Sequence, residues 1–155
     1  MIKADVLITN KNWKKFIKVP RGYINKKLKK IEKKNNLFKK NNFDFTLLLS
    51  GNIEVKKLNH KFRKKNKTTD ILSFPFHDKK NLTKLLSKKK NKIYLGDIII
   101  NLNKIKRENI EENFLFNFDK IWIHGLAHLL GHRHKSNIDF SRMKKLEKKL
   151  LQSIQ

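Results

Sequence analysis

The chain has 155 residues, a length typical of one domain with a single hydrophobic core. It carries 39 Lys and Arg against 13 Asp and Glu, a formal net charge of +26, and no cysteine, which excludes disulfide bonds and thiolate metal ligands. No apolar run approaches the roughly 20 residues that cross a bilayer, and the N-terminal residues lack the features of a signal peptide. We therefore expect a cytoplasmic protein that does not span a membrane.

The first third of the chain predicts a strand, a helical region and a linker. Residues 2–9 combine a charged start with an apolar, β-branched end, which favours a strand. Residues 12–34 favour a helix in two parts, broken near Pro20 and Gly22. The second part has an apolar face between lysines, formed by Ile24, Leu28 and Ile31. The lysine-rich and asparagine-rich residues 33–42 predict a polar linker.

A second strand and a second helix are predicted next. Residues 43–50 form a convincing strand, which Gly51 and Asn52 end. Residues 53–65 have apolar side chains at mainly helical spacings, so Asn59 and Arg63 are expected one turn apart. The apolar residues of this pattern are Ile53, Val55, Leu58 and Phe62.

A polar cluster then surrounds a short β-like run. Pro75 confines this run to the edge or the end of a strand. The polar residues are Thr68, Thr69, Asp70 and Ser73. Taken alone, these residues fit a functional cluster and a purely structural account equally well. In the structural account Thr69 and Asp70 form a turn and Ser73 is a strand residue that faces solvent. Residues 78–92 predict a mobile, highly basic insertion or hairpin arm.

The remaining elements complete an α+β pattern. Residues 93–100 predict a buried strand with a bulge or a close approach of another group at Gly96. Residues 102–114 predict a helical stretch, and residues 137–154 an amphipathic helix capped by Asn137 or Asp139. The inward residues of that last helix are predicted to be Ile138, Met143, Leu146 and Leu150. We therefore expect a single α+β domain with a mixed sheet of about four strands and about five helices.

The residues HGLAHLLGHRH, 124–134, carry the strongest functional signal. The apolar residues before and within them predict a buried helix, on which His124 and His128 lie about 40° apart. Gly131 can take the left-handed conformation that ends a helix, so the chain can bring His134 back towards the other two. Three neutral imidazoles bind zinc and leave a position for water. We therefore predict a catalytic site with one zinc ion per chain, on a helix and the turn after it.

The histidine spacing matches the zinc-protease motif H-E-x-x-H-x-x-G-x-x-H with one difference. Gly125 stands where that motif has the glutamate that acts as general base. The sequence thus retains the ligands and lacks the proteolytic base. The alternative is a core helix whose histidines bond to backbone or water. His132 is a further imidazole, either close to the ligands or simply exposed.

Three blocks stand in a recognisable order, LNHKFRKKNKTTDILSFPF (58–76), YLGDIII (94–100) and HGLAHLLGHRH (124–134). With these blocks the chain resembles the YbeY family of single-domain, metal-dependent endoribonucleases of ribosomal RNA maturation. The resemblance covers most of the chain from Phe43 onward. It implies that the three histidines are zinc ligands and that Arg63 matches an arginine associated with activity.

The resemblance also implies a shared cleft and shows some departures. The cleft block is matched by Thr69, Asp70, Ser73 and Pro75. His132 and Arg133 stand where the family usually has tyrosine and aspartate, and Ala127 where leucine is common. The charge beside the site therefore changes from acidic to basic, which leaves any role of that aspartate without a counterpart here.

The resemblance, with these residues, implies a specific function. We expect a zinc-dependent, single-strand-specific endoribonuclease that acts in 3′-end processing of small-subunit rRNA and in ribosome quality control. In it Arg63 would stabilise phosphoryl charge, and Asp70 would orient a histidine or act as base. His124 would take part in catalysis as a ligand, while Thr69, Ser73 and Arg63 would bind the substrate. The 2′-hydroxyl of the RNA is an alternative nucleophile to water.

The positive charge and the resemblance together suggest the partners. Lys and Arg that neutralise phosphates favour binding to nucleic acid. The resemblance implies that this partner is RNA, chiefly rRNA, with the small ribosomal subunit or its assembly factors. Codon bias is the alternative explanation for part of this charge, since the chain is rich in Lys, Asn, Ile and Phe. The rival functions are an rRNA-binding assembly factor with a structural metal and another zinc hydrolase, for example one that acts on peptides.

Overall fold

The computed structural model describes residues 1–88, 92–105 and 111–155. In chain order its elements are β1 (Ile2–Ile8), a 3₁₀ turn (Lys11–Lys15), α1 (Pro20–Lys34), α2 (Asn36–Lys40), β2 (Asn42–Ser50), α3 (Asn52–Arg63), β3 (Ile71–Pro75), α4 (Lys79–Ser87), β4 (Lys92–Asn101), a 3₁₀ turn (Leu102–Lys104), α5 (Glu111–Leu129) and α6 (Asn137–Ile154). The described residues thus contain four strands and six α-helices. The predicted α+β single-domain fold is confirmed.

The four strands form one mixed sheet in the order β1-β2-β4-β3. β1 is parallel to β2 and β2 to β4, whereas β3 is antiparallel to β4. β3 is therefore an edge strand, and Pro75 is its last residue, as expected for a residue that has no N–H to donate. This edge strand brings the predicted polar cluster next to α5.

Gly96 allows the close packing of β3 on β4. Its φ is 128°, and a Cβ added there would overlap the carbonyl oxygen of Phe74 on the neighbouring strand. The pairing of β2 with β4 also shifts register between Asp44 and Thr46, at the same level of the sheet. Both features confirm the predicted irregularity at this position.

The main core lies between one face of the sheet and the helices α1, α5 and α6. Trp122, Ile123 and Leu126 of α5 are fully buried there, which holds that helix firmly against the sheet. The other face carries a smaller apolar cluster under α3, made by Val55, Leu72 and Ile99. Among the helices that the structure describes, none combines the length and the apolarity needed to cross a membrane.

Two segments that the sequence predicts to be irregular contain helices instead. In the predicted polar linker 33–42, α2 is anchored by Phe38, which is fully buried. In the predicted arm 78–92, Asp78 caps α4 and Leu82 is buried. Both predictions are therefore wrong for the described part, because one apolar residue in each segment reaches the core. Residues 89–91, in the same arm, lie outside the described residues.

The cap of α6 and the position of one of its predicted inward residues differ from the prediction. Ser136 caps α6 by accepting a hydrogen bond from the N–H of Asp139, so the predicted caps Asn137 and Asp139 are wrong. Met143 and Leu150 are buried as predicted, whereas Ile138 is 64% exposed. Exposure is also high for Ile53 and Phe62 of α3. These three exposed residues lie in the first or last turn of their helices, which the core does not reach. Of the helical stretch predicted over 102–114, residues 106–110 lie outside the described part.

Candidate metal centre

The turn after α5 is built to return the chain towards the helix. Gly131 has a φ of 89°, the left-handed conformation that glycine adopts without strain. The N–H of Gly131 donates to the carbonyl oxygen of His128 (2.9 Å), and the N–H of His132 donates to that of Ala127 (3.1 Å). This pair of bonds is a Schellman motif, which satisfies the last carbonyls of the helix. The predicted helix end and chain reversal are therefore confirmed.

Three imidazoles converge beyond that turn. The Nε2 atoms of His124 and His128 lie 3.1 Å apart, and those of His134 and His128 lie 3.0 Å apart. One nitrogen from each ring lies within 4.8 Å of the others, so the three could hold a metal ion. His124 and His128 are half-buried on α5, and His134 is exposed in the return loop. The structure thus brings together the three residues that the sequence predicts as ligands.

Two of these rings are oriented through their other nitrogen. The Nδ1 atom of His124 lies 2.7 Å from Oε1 of Glu147 on α6, and Nδ1 of His128 lies 2.9 Å from the carbonyl oxygen of His132. A proton on Nδ1 that is donated to such an oxygen leaves the Nε2 lone pair free for a metal. The oxygen partners therefore select the ligand tautomer in both rings.

Glu147 is a candidate site residue that sequence reasoning missed. Its side chain is 12% exposed, and its Oε2 atom pairs with Nζ of Lys144 at 3.4 Å. Its position in the sequence held a signal, since Met143, Glu147 and Leu150 share one face of α6. An acidic residue on the buried face of a lysine-rich helix indicates a buried partner.

The environment keeps the central histidine neutral. The pKa of His128 is lowered to about 4, chiefly by burial and also by the neighbouring His124, His134 and Arg63, against the opposing hydrogen bond to His132. Burial also lowers the pKa of the His132 side chain, with help from nearby Lys79. A neutral imidazole at pH 7 is the form that binds a metal. The donor set, three imidazole nitrogens with a carboxylate behind one of them, fits such an ion.

The histidines line one side of a cleft of about 480 Å³, and the edge strand β3, the loop before it and the end of α3 line the other. The opposite wall contains the predicted residues Arg63, Thr69, Asp70 and Ser73, together with Pro75. Every candidate site residue of the sequence therefore lies around one cleft. The structure adds His77 to its lining.

Arg63 is held in place at the end of α3. Its Nη2 atom donates a hydrogen bond to the carbonyl oxygen of Ser73 (3.0 Å), and its guanidinium lies 5.6 Å from the ring centre of Phe74. The remaining guanidinium N–H groups are available to other acceptors, since Arg has five donors. Its position beside the histidines suits contact with an anion in the cleft.

The polar residues of the edge strand differ in their surroundings. The hydroxyl of Thr69 donates to Oδ1 of Asp70 (3.2 Å), and both residues are accessible from the cleft. Ser73 is only 8% exposed, and its hydroxyl has no hydrogen-bond partner within the described part of the chain. The orienting contacts on His124 and His128 come from Glu147 and a backbone carbonyl. Catalytic and substrate-binding roles for Asp70, Thr69 and Ser73 stay predictions.

Gly125 faces the sheet and not the cleft. A Cβ added there would lie 2.9 Å from Cδ1 of Ile71 and 3.0 Å from two atoms of Ile98. Such contacts are tighter than normal van der Waals distances, so glycine lets α5 approach β3 and β4 closely. A glutamate at this position would point into an apolar interface. The missing protease base is therefore a consequence of how this helix packs.

The fold and the site together define a single-domain α+β protein with a three-histidine centre that can hold a metal ion. Comparison with known proteins narrows this class. A family model described as "Endoribonuclease YbeY" matches residues 7–155. The chain belongs to the endoribonuclease YbeY family.

Individual relatives agree with this assignment. A protein of Pelagibacter ubique named "Endoribonuclease YbeY" is 46% identical over 150 residues, which cover 95% of this chain and 92% of that protein. A protein of the same name from Thermodesulfovibrio yellowstonii is 36% identical over 132 residues, 83% of this chain and 76% of that one. A Thermotoga maritima protein solved in solution has a TM-score of 0.53 at 23% identity, covers 97% of this chain and 89% of its own, and supports the fold.

Proposed function

We propose that residues 1–155 form one zinc-dependent endoribonuclease domain that cuts single-stranded RNA during rRNA maturation. Membership of the endoribonuclease YbeY family makes the chain an RNA-cleaving hydrolase. The observation that carries the zinc and active-site assignments is the convergence of three Nε2 atoms in a cleft that also contains Arg63. The biological setting of the proposal is 3′-end processing of small-subunit rRNA and ribosome quality control in the cytoplasm.

His124, His128 and His134 would hold the zinc ion, because neutral imidazoles without thiolates or carboxylates form a borderline-soft ligand set. Zinc in such a site supplies Lewis-acid chemistry, lowering the pKa of water and polarising phosphoryl oxygens. Glu147 would keep Nδ1 of His124 protonated and strengthen the basicity of its Nε2 atom. The carbonyl of His132 would do the same for His128.

Arg63 would bind the phosphodiester and stabilise the charge that develops on its oxygens. A guanidinium fork matches two phosphate oxygens, and the hydrogen bond to Ser73 aims it from the opposite wall. Asp70 is an accessible carboxylate of this cleft and the proposed acceptor of the nucleophile's proton, while Thr69 holds its orientation. The nucleophile is water or the neighbouring 2′-hydroxyl, and Ser73 would contact substrate after a small displacement of the edge strand.

The test compares wild type with His128→Ala and Arg63→Ala on a single-stranded RNA. We expect zinc analysis to give about one ion per chain for wild type and for Arg63→Ala, and a large loss for His128→Ala. Cleavage should be lost in His128→Ala and reduced on the order of 10²-fold or more in Arg63→Ala. Equal cleavage by wild type and His128→Ala would overturn the metal assignment, and an active, zinc-free preparation would overturn the identity of the metal.

The net charge of +26 favours a second candidate, an rRNA-binding assembly factor with a structural metal. This function predicts tight, salt-dependent binding to rRNA or the small subunit that survives in Arg63→Ala, with no cleavage by any form of the protein. For both candidates the affinity should fall steeply with salt. A flat salt response would assign the lysine surface to codon bias instead.

A further inference from the structure

A second cavity lies between α5 and α6, directly beside the histidine cleft. Its volume is about 560 Å³, within the roughly 300–1,000 Å³ of small-ligand pockets. Three residues, Asp70, Ile71 and His124, line both this cavity and the histidine cleft. A ligand that extends from one cavity into the other therefore passes next to His124. We call this second cavity the α5–α6 pocket.

Helix α5 presents one stripe of side chains to both cavities. Phe116, Lys120, His124 and His128 follow at intervals of four residues, which places them on one face of the helix. Phe116 is 46% exposed, and Nζ of Lys120 lies 5.1 Å from the centre of its ring. An exposed aromatic ring and a cation thus precede His124, the first candidate metal ligand, by two turns and one turn respectively.

The rest of the pocket combines an apolar floor with a basic rim. The partly buried floor is made by Ile71, Ile121 and Leu151, which pack against the main core. The exposed residues of α6 at the rim are Lys144, Lys148, Gln152 and Gln155. The ammonium group of Lys144 is paired with Glu147, the residue that orients His124. The pocket is therefore apolar inside and cationic at its opening.

We propose that the α5–α6 pocket binds one unpaired nucleobase of the RNA strand, next to the phosphodiester at the histidine centre. The base would stack on Phe116 over the apolar floor, and the adjoining phosphate would lie near Lys120 and Lys148. Stacking on an aromatic ring combined with backbone contacts to cations is how proteins bind single-stranded nucleic acid. The proposal rests on the proposed function and extends it, because a base held in a duplex cannot enter the pocket.

The first experiment is a double-mutant cycle between the pocket and the RNA. A single-stranded RNA with one mapped cut is prepared with an abasic residue at each position flanking that cut. At one position the lost base should lower kcat/KM of wild type roughly tenfold, the scale of one base–aromatic stack. The same abasic change should have no further effect on Phe116→Ala. Equal abasic effects in wild type and Phe116→Ala at every position would overturn the pocket.

A matched control separates the pocket from exposed aromatic rings in general. Phe62 is 57% exposed and has Nζ of Lys61 at 5.2 Å from its ring centre, but it does not line the pocket. Phe62→Ala should keep the full abasic effect. If Phe62→Ala abolishes that effect as completely as Phe116→Ala does, the assignment to the α5–α6 pocket is wrong.

A binding readout distinguishes failure of the pocket from failure of the proposed function. RNA carrying 2-aminopurine at the identified position, or at each flanking position in turn if no cut is found, is titrated into His128→Ala. Stacking should quench the fluorescence, and the double variant His128→Ala, Phe116→Ala should lose the quenching. Quenching that depends on Phe116 without any cleavage by wild type would refute the nuclease and support the pocket. No Phe116-dependent quenching would overturn the pocket, whatever the cleavage result.

Discussion

Two carboxylates, Asp119 on helix α5 and Glu147 on the facing helix α6, differ in their surroundings. Asp119 is 5% exposed and accepts hydrogen bonds from Lys27 (2.6 Å), Trp122 (2.9 Å) and Tyr23 (3.1 Å). Glu147 accepts one hydrogen bond at 2.7 Å from His124, whose other nitrogen points at the cleft. The donors to Asp119 come from α1 and α5 themselves, so that carboxylate joins two helices. The donor to Glu147 is a candidate metal ligand.

The difference indicates that one helix depends on two separate electrostatic centres. A carboxylate surrounded by structural donors contributes to the free energy of unfolding and has no path to the cleft. A carboxylate behind a ligand contributes to the affinity for the ion through the orientation and basicity of that ligand. We therefore expect changes at Asp119 to alter stability and changes at Glu147 to alter metal binding.

The largest effect is expected for Asp119→Ala, which leaves the nearly buried Lys27 ammonium without its partner. We expect the free energy of unfolding to fall by about 3–5 kcal/mol, the cost of breaking a buried ion pair. Urea unfolding measures it, and Asp119→Asn, which keeps an acceptor, should lose less. A drop below about 1 kcal/mol, or a weaker metal affinity in the folded protein, would contradict the separation of the two centres.

A smaller effect is expected for Glu147→Ala. The affinity for zinc should fall roughly 10–100-fold, the range for partners behind metal-bound histidines. Competition with a chelator measures this affinity. Glu147→Gln serves as the matched control. It should keep part of the zinc affinity, since the amide oxygen can still accept a hydrogen bond from Nδ1 of His124. Zinc affinity unchanged in both variants would show that Glu147 has only a structural role.

Acidification should lower the free energy of unfolding of the metal-free protein, because His128 becomes protonated. Its pKa of about 4 in the folded chain is below the ordinary value of 6.5, so the folded state disfavours protonation. The associated stability is present above pH 6.5 and is lost as the pH falls towards 4. Urea unfolding of the metal-free protein against pH measures the loss. His128→Gln should reduce this loss, and an identical pH profile for the variant would refute the assignment.

The smallest effect concerns Tyr23, beside Asp119. Burial, followed by the charge of Asp119 and the hydrogen bond to it, raises the pKa of the Tyr23 hydroxyl above its ordinary value of 10. The folded state thus favours the protonated phenol, and its contribution is fully present below pH 10 and is lost as the pH rises further. Tyr23→Phe should cost about 1 kcal/mol at neutral pH and remove part of the alkaline loss. If the free energies of unfolding of wild type and Tyr23→Phe differed by the same amount from pH 8 to 11, this role of the Tyr23 hydroxyl would be contradicted.

Local patterns predicted most of the fold and the ligand set. Spacings within about 20 residues were enough to predict the strands, α1, α3 and the three histidines. The glycine of the turn after α5 was predicted from its backbone freedom alone. The site roles of Arg63 and of the residues around the edge strand came from the family resemblance, because nothing local places them against α5. The structure then brings all of them to one cleft.

Tertiary placement accounts for what the sequence did not predict. Glu147 reaches His124 only because α6 packs against α5, and the same packing, beside Ile71 of β3, forms the α5–α6 pocket. Two lysine-rich segments form helices because each buries one apolar side chain in the core, Phe38 in α2 and Leu82 in α4. Conversely, helical periodicity does not reveal where a core ends, so it cannot predict that Ile53, Phe62 and Ile138 are exposed.

The turn after α5 has a consequence for substitutions within it. His128 is oriented by the backbone carbonyl of residue 132, and a carbonyl is present whichever amino acid occupies that position. The side chain at 132 can therefore be exchanged while this hydrogen bond, and with it the tautomer of His128, is kept. Gly131 has no such freedom, because its left-handed conformation sets the direction of that carbonyl. Substitutions at 131 should accordingly disturb the tautomer of His128 more than substitutions at 132.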